Sequence, residues 1–170
     1  HQFVTILKNG EPIKMSTRKA NFISLEELIN EIGADVTRFF FIMRNMNSHL
    51  NFDLDIAKEE SDINPVFYIQ YAHARCCSIL RRFERNINSI NTNVLNSLTD
   101  DIESQIIRKL IIFPELISKC VDTLEPQNIA NFLTDLSSVF HSYYANVKLL
   151  TEKIFYTKKN MRICTFLKIL

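Results

Sequence analysis

A mainly α-helical fold is expected from three observations. The 170-residue chain holds only two glycines and four prolines, so turn chemistry is scarce and a fold of many short strands is disfavoured. Apolar residues make up 46% of it, enough to pack one ordinary domain, or one domain with a piece of another. From residue 65 to about residue 90, Val66, Ile69, Ala72, Cys76, Ile79, Phe83, Ile87 and Ile90 recur at spacings of three and four, the stripe of a helix buried along one face.

In chain order, residues 1–7 read as a short strand, and Asn9-Gly10 supplies a turn. Glu11-Pro12-Ile13 then leads into a basic loop. Ser24 caps a first helix, Glu27 completes a capping box and Gly33 is placed to end it. Asp35 can cap a second helix, in which Val36, Phe39, Phe40 and Met43 share a face and Arg38 and Arg44 lie off it. Residues 51–55 alternate polar and apolar, residues 55–62 turn acidic and helical, and Asn64-Pro65 interrupts them. A domain boundary is expected there, with Pro65 in the first turn of the long helix. Residues 86–96, rich in Asn and Ser, read as a connection. Thr99 or Asp100 then caps a helix carrying Ile102, Ile106, Leu110 and Phe113, which Pro114 bends or restarts. Pro126 starts another, with Ile129, Leu133, Leu136, Phe140, Tyr144 and Val147 on its core face and Tyr143 pointing elsewhere. A last helix is expected from near Thr157 to the end.

The charge is nearly balanced overall, but the basic excess lies after residue 62, which permits contact with nucleic acid without requiring it. Cys76 and Cys77 are adjacent, Cys120 and Cys164 stand alone, and no CxxC pair suggests zinc. This usage fits a reducing cytoplasm rather than a disulfide framework. No apolar run reaches the roughly 18 residues of a membrane span, and no signal-peptide pattern opens the chain.

Two stretches carry residue types suited to chemistry. Lys14-Met15-Ser16-Thr17-Arg18-Lys19-Ala20-Asn21 packs three cations and two hydroxyls into a run too short and polar to bury. Such a run can hold a polyphosphate, or it can be an ordinary solvated loop. On the long helix, Tyr68, Tyr71, Arg75 and Arg82 form a second stripe that interleaves rings with guanidinium groups. Rings offer faces to unstacked bases and cations offer charge to phosphates, a combination suited to single-stranded RNA. Tyrosines packed with hydroxyls at a rim, beside arginines that snorkel, would read the same way. His73 reads as a hydrogen-bonded structural histidine.

Lys14-Met15-Ser16-Thr17-Arg18 resembles the KMSKS signature loop of class I aminoacyl-tRNA synthetases. The later blocks resemble the arginyl-tRNA synthetase family in order: Asn21-Phe22, Gly33-Ala34-Asp35-Val36-Thr37-Arg38-Phe39-Phe40-Phe41, Ser48-His49-Leu50-Asn51-Phe52-Asp53-Leu54-Asp55, and Asn64-Pro65-Val66-Phe67-Tyr68-Ile69-Gln70-Tyr71-Ala72-His73-Ala74-Arg75. Weaker similarity continues through Phe140-His141-Ser142-Tyr143-Tyr144. The resemblance implies that residues 1–62 are the end of a catalytic domain with its signature loop and linker helices. It implies that residues 63–170 are a helical anticodon-binding domain of the DALR type, truncated at its C-terminus. It further implies a ligase joining arginine to its tRNA through an arginyl-adenylate, with ATP and Mg²⁺ as the substrate complex.

By the same resemblance, Lys14, Met15 and Ser16 would form the ATP-binding part of the loop, with Lys14 contacting phosphates and Ser16 helping to shape it, and Arg18 or Lys19 could supply charge to the reaction. Tyr68, Tyr71, Arg75, Arg82, Tyr143 and Tyr144 would face tRNA, although core packing is the other reading for the last two. Thr17 departs from the second lysine of the signature and Ala20 from a more usual glycine. No HIGH-type motif or nucleotide-binding sheet precedes the loop, so the piece by itself is expected to be inactive. Two other classes fit the same stripes: a noncatalytic helical RNA-binding module and a helical scaffold for protein partners.

Overall fold

β1 (Val4–Lys8) and β2 (Glu11–Pro12) form a hairpin in the computed structural model, which describes residues 3–16, 22–82 and 100–147. Asn9 and Gly10 both have positive φ, 54° and 74°, so the turn is of the primed type whose twist matches the strands. Ile13 N–H donates to the Ile6 carbonyl at 2.9 Å, extending the pairing toward the basic loop.

The chain next forms α1 (Leu25–Ile32) and α2 (Ala34–Ile42). The capping box is present. Ser24 Oγ accepts from Glu27 N–H at 3.1 Å, the Glu27 carboxylate accepts from Ser24 N–H at 2.7 Å, and these bonds to Ser24 hold the Glu27 carboxyl below its usual pKa. Gly33, at φ 89°, ends α1 and stands at the N-cap of α2. Asp35 therefore lies inside the first turn rather than capping it, where a carboxylate still complements the helix dipole.

β3 (Leu50–Asp53) then pairs parallel to β1, from Val4↔Leu50 to Leu7↔Asp53, in a sheet ordered β2-β1-β3. A parallel pair needs a crossover connection, and α1 and α2 supply it. The opening strand thus finds its partner within this chain. Asp53 caps the short α3 (Leu54–Lys58), accepting from the N–H groups of Asp55 and Ile56. Asn9 N–H donates to the Asp55 carboxylate, fastening the hairpin turn to α3.

Buried Ile6, Leu28, Phe40, Leu50, Phe52, Leu54, Ala57 and Val66 make one core. Phe52, fully buried, meets Phe40 and Phe41 with ring centroids 5.1 and 5.7 Å away.

α4 (Pro65–Arg82) begins at the proline, as its missing N–H allows. Asn64 is buried beside it. Its Nδ2 donates to the carbonyls of Ala57 (3.1 Å) and Glu59 (3.0 Å), while its Oδ1 accepts from Val66 N–H (3.0 Å). One side chain thus ties the end of α3 to the start of α4.

α5 (Asp101–Thr123) passes through Pro114 as one helix, without the restart that was one of the two expected outcomes. A proline forfeits one ladder bond, and buried Ile106 and Leu110 before it and Cys120 after it hold both halves of the helix in place. α6 (Gln127–Asn146) follows Pro126. By contacts the chain divides into two compact units, one of residues up to Tyr68 together with Ser118–Phe132, the other of Ile69–Ile117 and the chain from Leu133. In the first, Asn45 Nδ2 donates to the Glu125 carboxylate at 3.3 Å. The second has α4, α5 and α6 residues in its core, among them Ala72, Cys76, Ile79, Ile106, Leu110, Leu136, Phe140 and Tyr143.

The expected stripe positions Phe83, Ile87 and Ile90, the connection at 86–96, Thr99 and the last helix lie outside the described residues. Among the described residues, no helix is long and apolar enough to cross a membrane.

Candidate nucleic-acid interface

On α4, Val66, Ala72, Cys76 and Ile79 are buried, so the predicted stripe faces inward. Burial, with neighbouring Cys77 adding to it, pushes the Cys76 thiol up to about 12, which leaves it protonated and inert at neutral pH. The outward stripe is then fixed by helix geometry, because Tyr71 and Arg75 are one turn apart.

α6 brings two more rings to them. Arg75 Nη1 donates to His141 Nδ1 at 2.9 Å, and Nη2 donates to the Tyr71 hydroxyl at 3.1 Å. The guanidinium carbon lies 4.2 Å from the centroid of the Tyr71 ring and 4.4 Å from that of Tyr144. His141 stacks on Tyr71 at 5.6 Å with 28° between the planes. Tyr71 keeps 47% of its surface in solvent and Tyr144 36%. The result is a fixed cation flanked by rings that remain partly open. Two of its N–H groups are committed and a guanidinium carries more, so it can still donate to a phosphate while a ring face receives a base.

The other expected contacts divide. Tyr68 is half-buried and belongs to the first unit; Arg82 ends α4, and its side chain lies outside the described residues. Tyr143 is 1% exposed, and its hydroxyl donates to the buried Glu103 carboxylate at 3.0 Å, so it packs in the core while Tyr144 faces out. This reverses the expected faces. The inward stripe of α6 runs through Phe132, Leu136, Phe140 and Tyr143, and a final step of three instead of four selects the earlier tyrosine.

Sequence reasoning misses His141 as a contributor, although its place three residues before Tyr144 puts it on a neighbouring part of the same helical surface. His73 contacts Cys77 Sγ at 3.3 Å and rims a cavity of about 90 Å³ floored by Ala72, Leu136 and Phe140. That volume is well short of the several hundred cubic ångströms of an ordinary ligand site, so the aromatic–arginine cluster is the stronger candidate.

In the basic loop, Lys14 and Met15 are exposed and Ser16 is half-buried in a single bridge pairing. Arg18 and Lys19 lie outside the described residues.

The helical unit thus carries a ring-flanked arginine on its surface, a combination suited to RNA. Residues 69–168 match the family model of the DALR anticodon binding domain, and the chain belongs to that family. Its curated relatives include the arginine–tRNA ligase of Salinibacter ruber, 44% identical over 164 residues that cover 96% of this chain and 29% of that protein. That of Desulforamulus reducens is 45% identical over 157 residues, covering 89% and 28%. The chain therefore spans less than a third of the length of these relatives.

Among solved structures, one described as an arginyl tRNA synthetase from Campylobacter jejuni matches with a TM-score of 0.78 at 25% identity, over 98% of this chain and 36% of that one. Thermus thermophilus arginyl-tRNA synthetase matches at 0.68 and 19% identity, over 98% and 32%, a likeness of fold alone.

Proposed function

We propose that this chain is part of an arginine–tRNA ligase, supplying the anticodon-binding face and the ATP-side signature loop. The reaction joins arginine to ATP as arginyl-adenylate with release of pyrophosphate, then transfers the arginyl group to tRNA. Lys14 contacts the ATP phosphates, Met15 and Ser16 belong to the same ATP-binding loop, which Ser16 helps to shape, Arg18 or Lys19 adds positive charge, and Mg²⁺ is carried on the nucleotide. The functional division falls near residue 62: residues 1–62 serve the catalytic side and 63–170 serve tRNA, in the cytoplasm. Within the complete enzyme, Lys14→Ala lowers the rate of arginine activation and leaves arginine affinity near its starting value. Pyrophosphate exchange measured against arginine concentration checks this, and equal loss of both would make the loop a structural support.

The observation that carries the RNA reading is Arg75 held between the half-open rings of Tyr71 and Tyr144. Tyr71→Ala is expected to remove stacking worth about 1–3 kcal/mol, and Arg75→Ala to weaken binding and flatten its salt dependence. Binding of an arginine-accepting tRNA, and of the same tRNA with a changed anticodon, separates base contacts from backbone contacts, because only the former respond to the change. A Tyr71→Ala protein of lowered melting temperature but unchanged affinity per folded molecule would rule out this face.

A further inference from the structure

We infer that His141 is the positioning residue of the RNA face, holding Arg75 in a fixed plane through its Nδ1 acceptor. This role rests on the proposed RNA binding by Tyr71 and Arg75. An arginine carries no acceptor, so the 2.9 Å contact between Nη1 and Nδ1 has one polarity: Arg75 donates and the neutral imidazole accepts. Nδ1 accepting puts the ring proton on Nε2.

The same ring stacks on Tyr71, and Tyr71 in turn accepts from Nη2. The guanidinium is therefore fixed at two corners of its fork by groups on two helices, α4 and α6. A free arginine side chain loses several rotors when it grips a phosphate, and one already held loses fewer. His141 thus aids RNA binding through Arg75, without touching RNA itself.

The prediction separates from simple support of the fold. His141→Phe keeps a ring to stack on Tyr71 and removes the acceptor. His141→Asn places an amide oxygen close to the Nδ1 position. The measurement is affinity for a transcribed arginine-accepting tRNA at fixed salt, per folded molecule, with melting temperatures taken alongside. His141→Phe is expected to bind about tenfold more weakly, the worth of one hydrogen bond to a charged group, and His141→Asn to recover most of that loss.

In an Arg75→Ala background, His141→Phe should cause no further loss, because the residue acts only through the arginine. Should His141→Phe fold poorly, His141→Gln, whose amide oxygen reaches the Nε2 position instead, is expected to show the same weakening. Wild-type affinity in His141→Phe, beside a weakened Arg75→Ala, would overturn the inference and leave the RNA reading standing. A loss that persists without Arg75 would overturn it too, by making His141 a direct contact. Unchanged binding by Arg75→Ala would remove the RNA reading of this face and the inference together.

Discussion

Phe52→Ala destabilises the first unit by about 3–5 kcal/mol, the range for deleting a large buried ring. Phe52 has no exposed surface, lies on a three-stranded sheet, and meets both Phe40 and Phe41. Truncation leaves a cavity that two helical rings cannot collapse into without losing Leu50 and Leu54 as neighbours in the same core. Small domains have only about 5–15 kcal/mol in hand, so the loss is a large share of the total. Urea unfolding followed by circular dichroism gives the number, and hydrogen exchange locates it: protection should fall first at β1 and β3. A midpoint within the error of the wild type would mean that the core around Phe52 is not the one described.

Asn64→Ala has the second-largest expected effect, about 2–4 kcal/mol, from a lost cap and a stranded buried carbonyl. Its buried side chain makes three bonds of 3.0–3.1 Å, two donated to carbonyls and one accepted from the start of α4. Loss of a cap costs about 1 kcal/mol, and the buried Ala57 carbonyl left unpaired costs about 1–3 kcal/mol, while the carbonyl of exposed Glu59 can turn to water. Asn64→Asp keeps the cap acceptor and loses both donors, so it should fall between wild type and Asn64→Ala in thermal melts. An Asp variant as poor as Ala would place the whole effect on the donated bonds; an Ala variant as stable as wild type would deny the network any role.

That network marks what the sequence could and could not reveal. Asn64-Pro65 reads as an interruption because proline punctuation is local, and Pro65 does start α4. The Asn9-Gly10 turn, the Ser24–Glu27 box and the helix after Pro126 are legible for the same reason, since each depends on residues a few positions apart. The two carbonyls that Asn64 binds are not announced by any local pattern. Nor is the pairing of β1 with β3, because a parallel partner lies beyond a crossover and Leu50–Asp53 shows only short alternation.

In the candidate interface, Tyr71 and Arg75 followed from helical spacing, but their union with His141 and Tyr144 needed the packing of α4 beside α6. The choice between Tyr143 and Tyr144 turned on a single residue of helical phase, and a buried carboxylate, Glu103, decided it. A carboxylate at a core position is what simple apolar patterning leaves out.

The parallel register also has a consequence during synthesis. β1 leaves the ribosome ahead of its long-range partner: Val4 cannot pair until Leu50 has emerged, and at about 5–20 residues per second that is a wait of seconds. The β1–β2 hairpin can close within microseconds, yet a lone hairpin is marginal in water, and the side of β1 facing away from β2 keeps a bare row of amides and carbonyls until β3 arrives. Ser118–Phe132 arrives later still to join the same unit. Until β3 emerges, β1 therefore carries an open edge that later residues of the same unit come to cover.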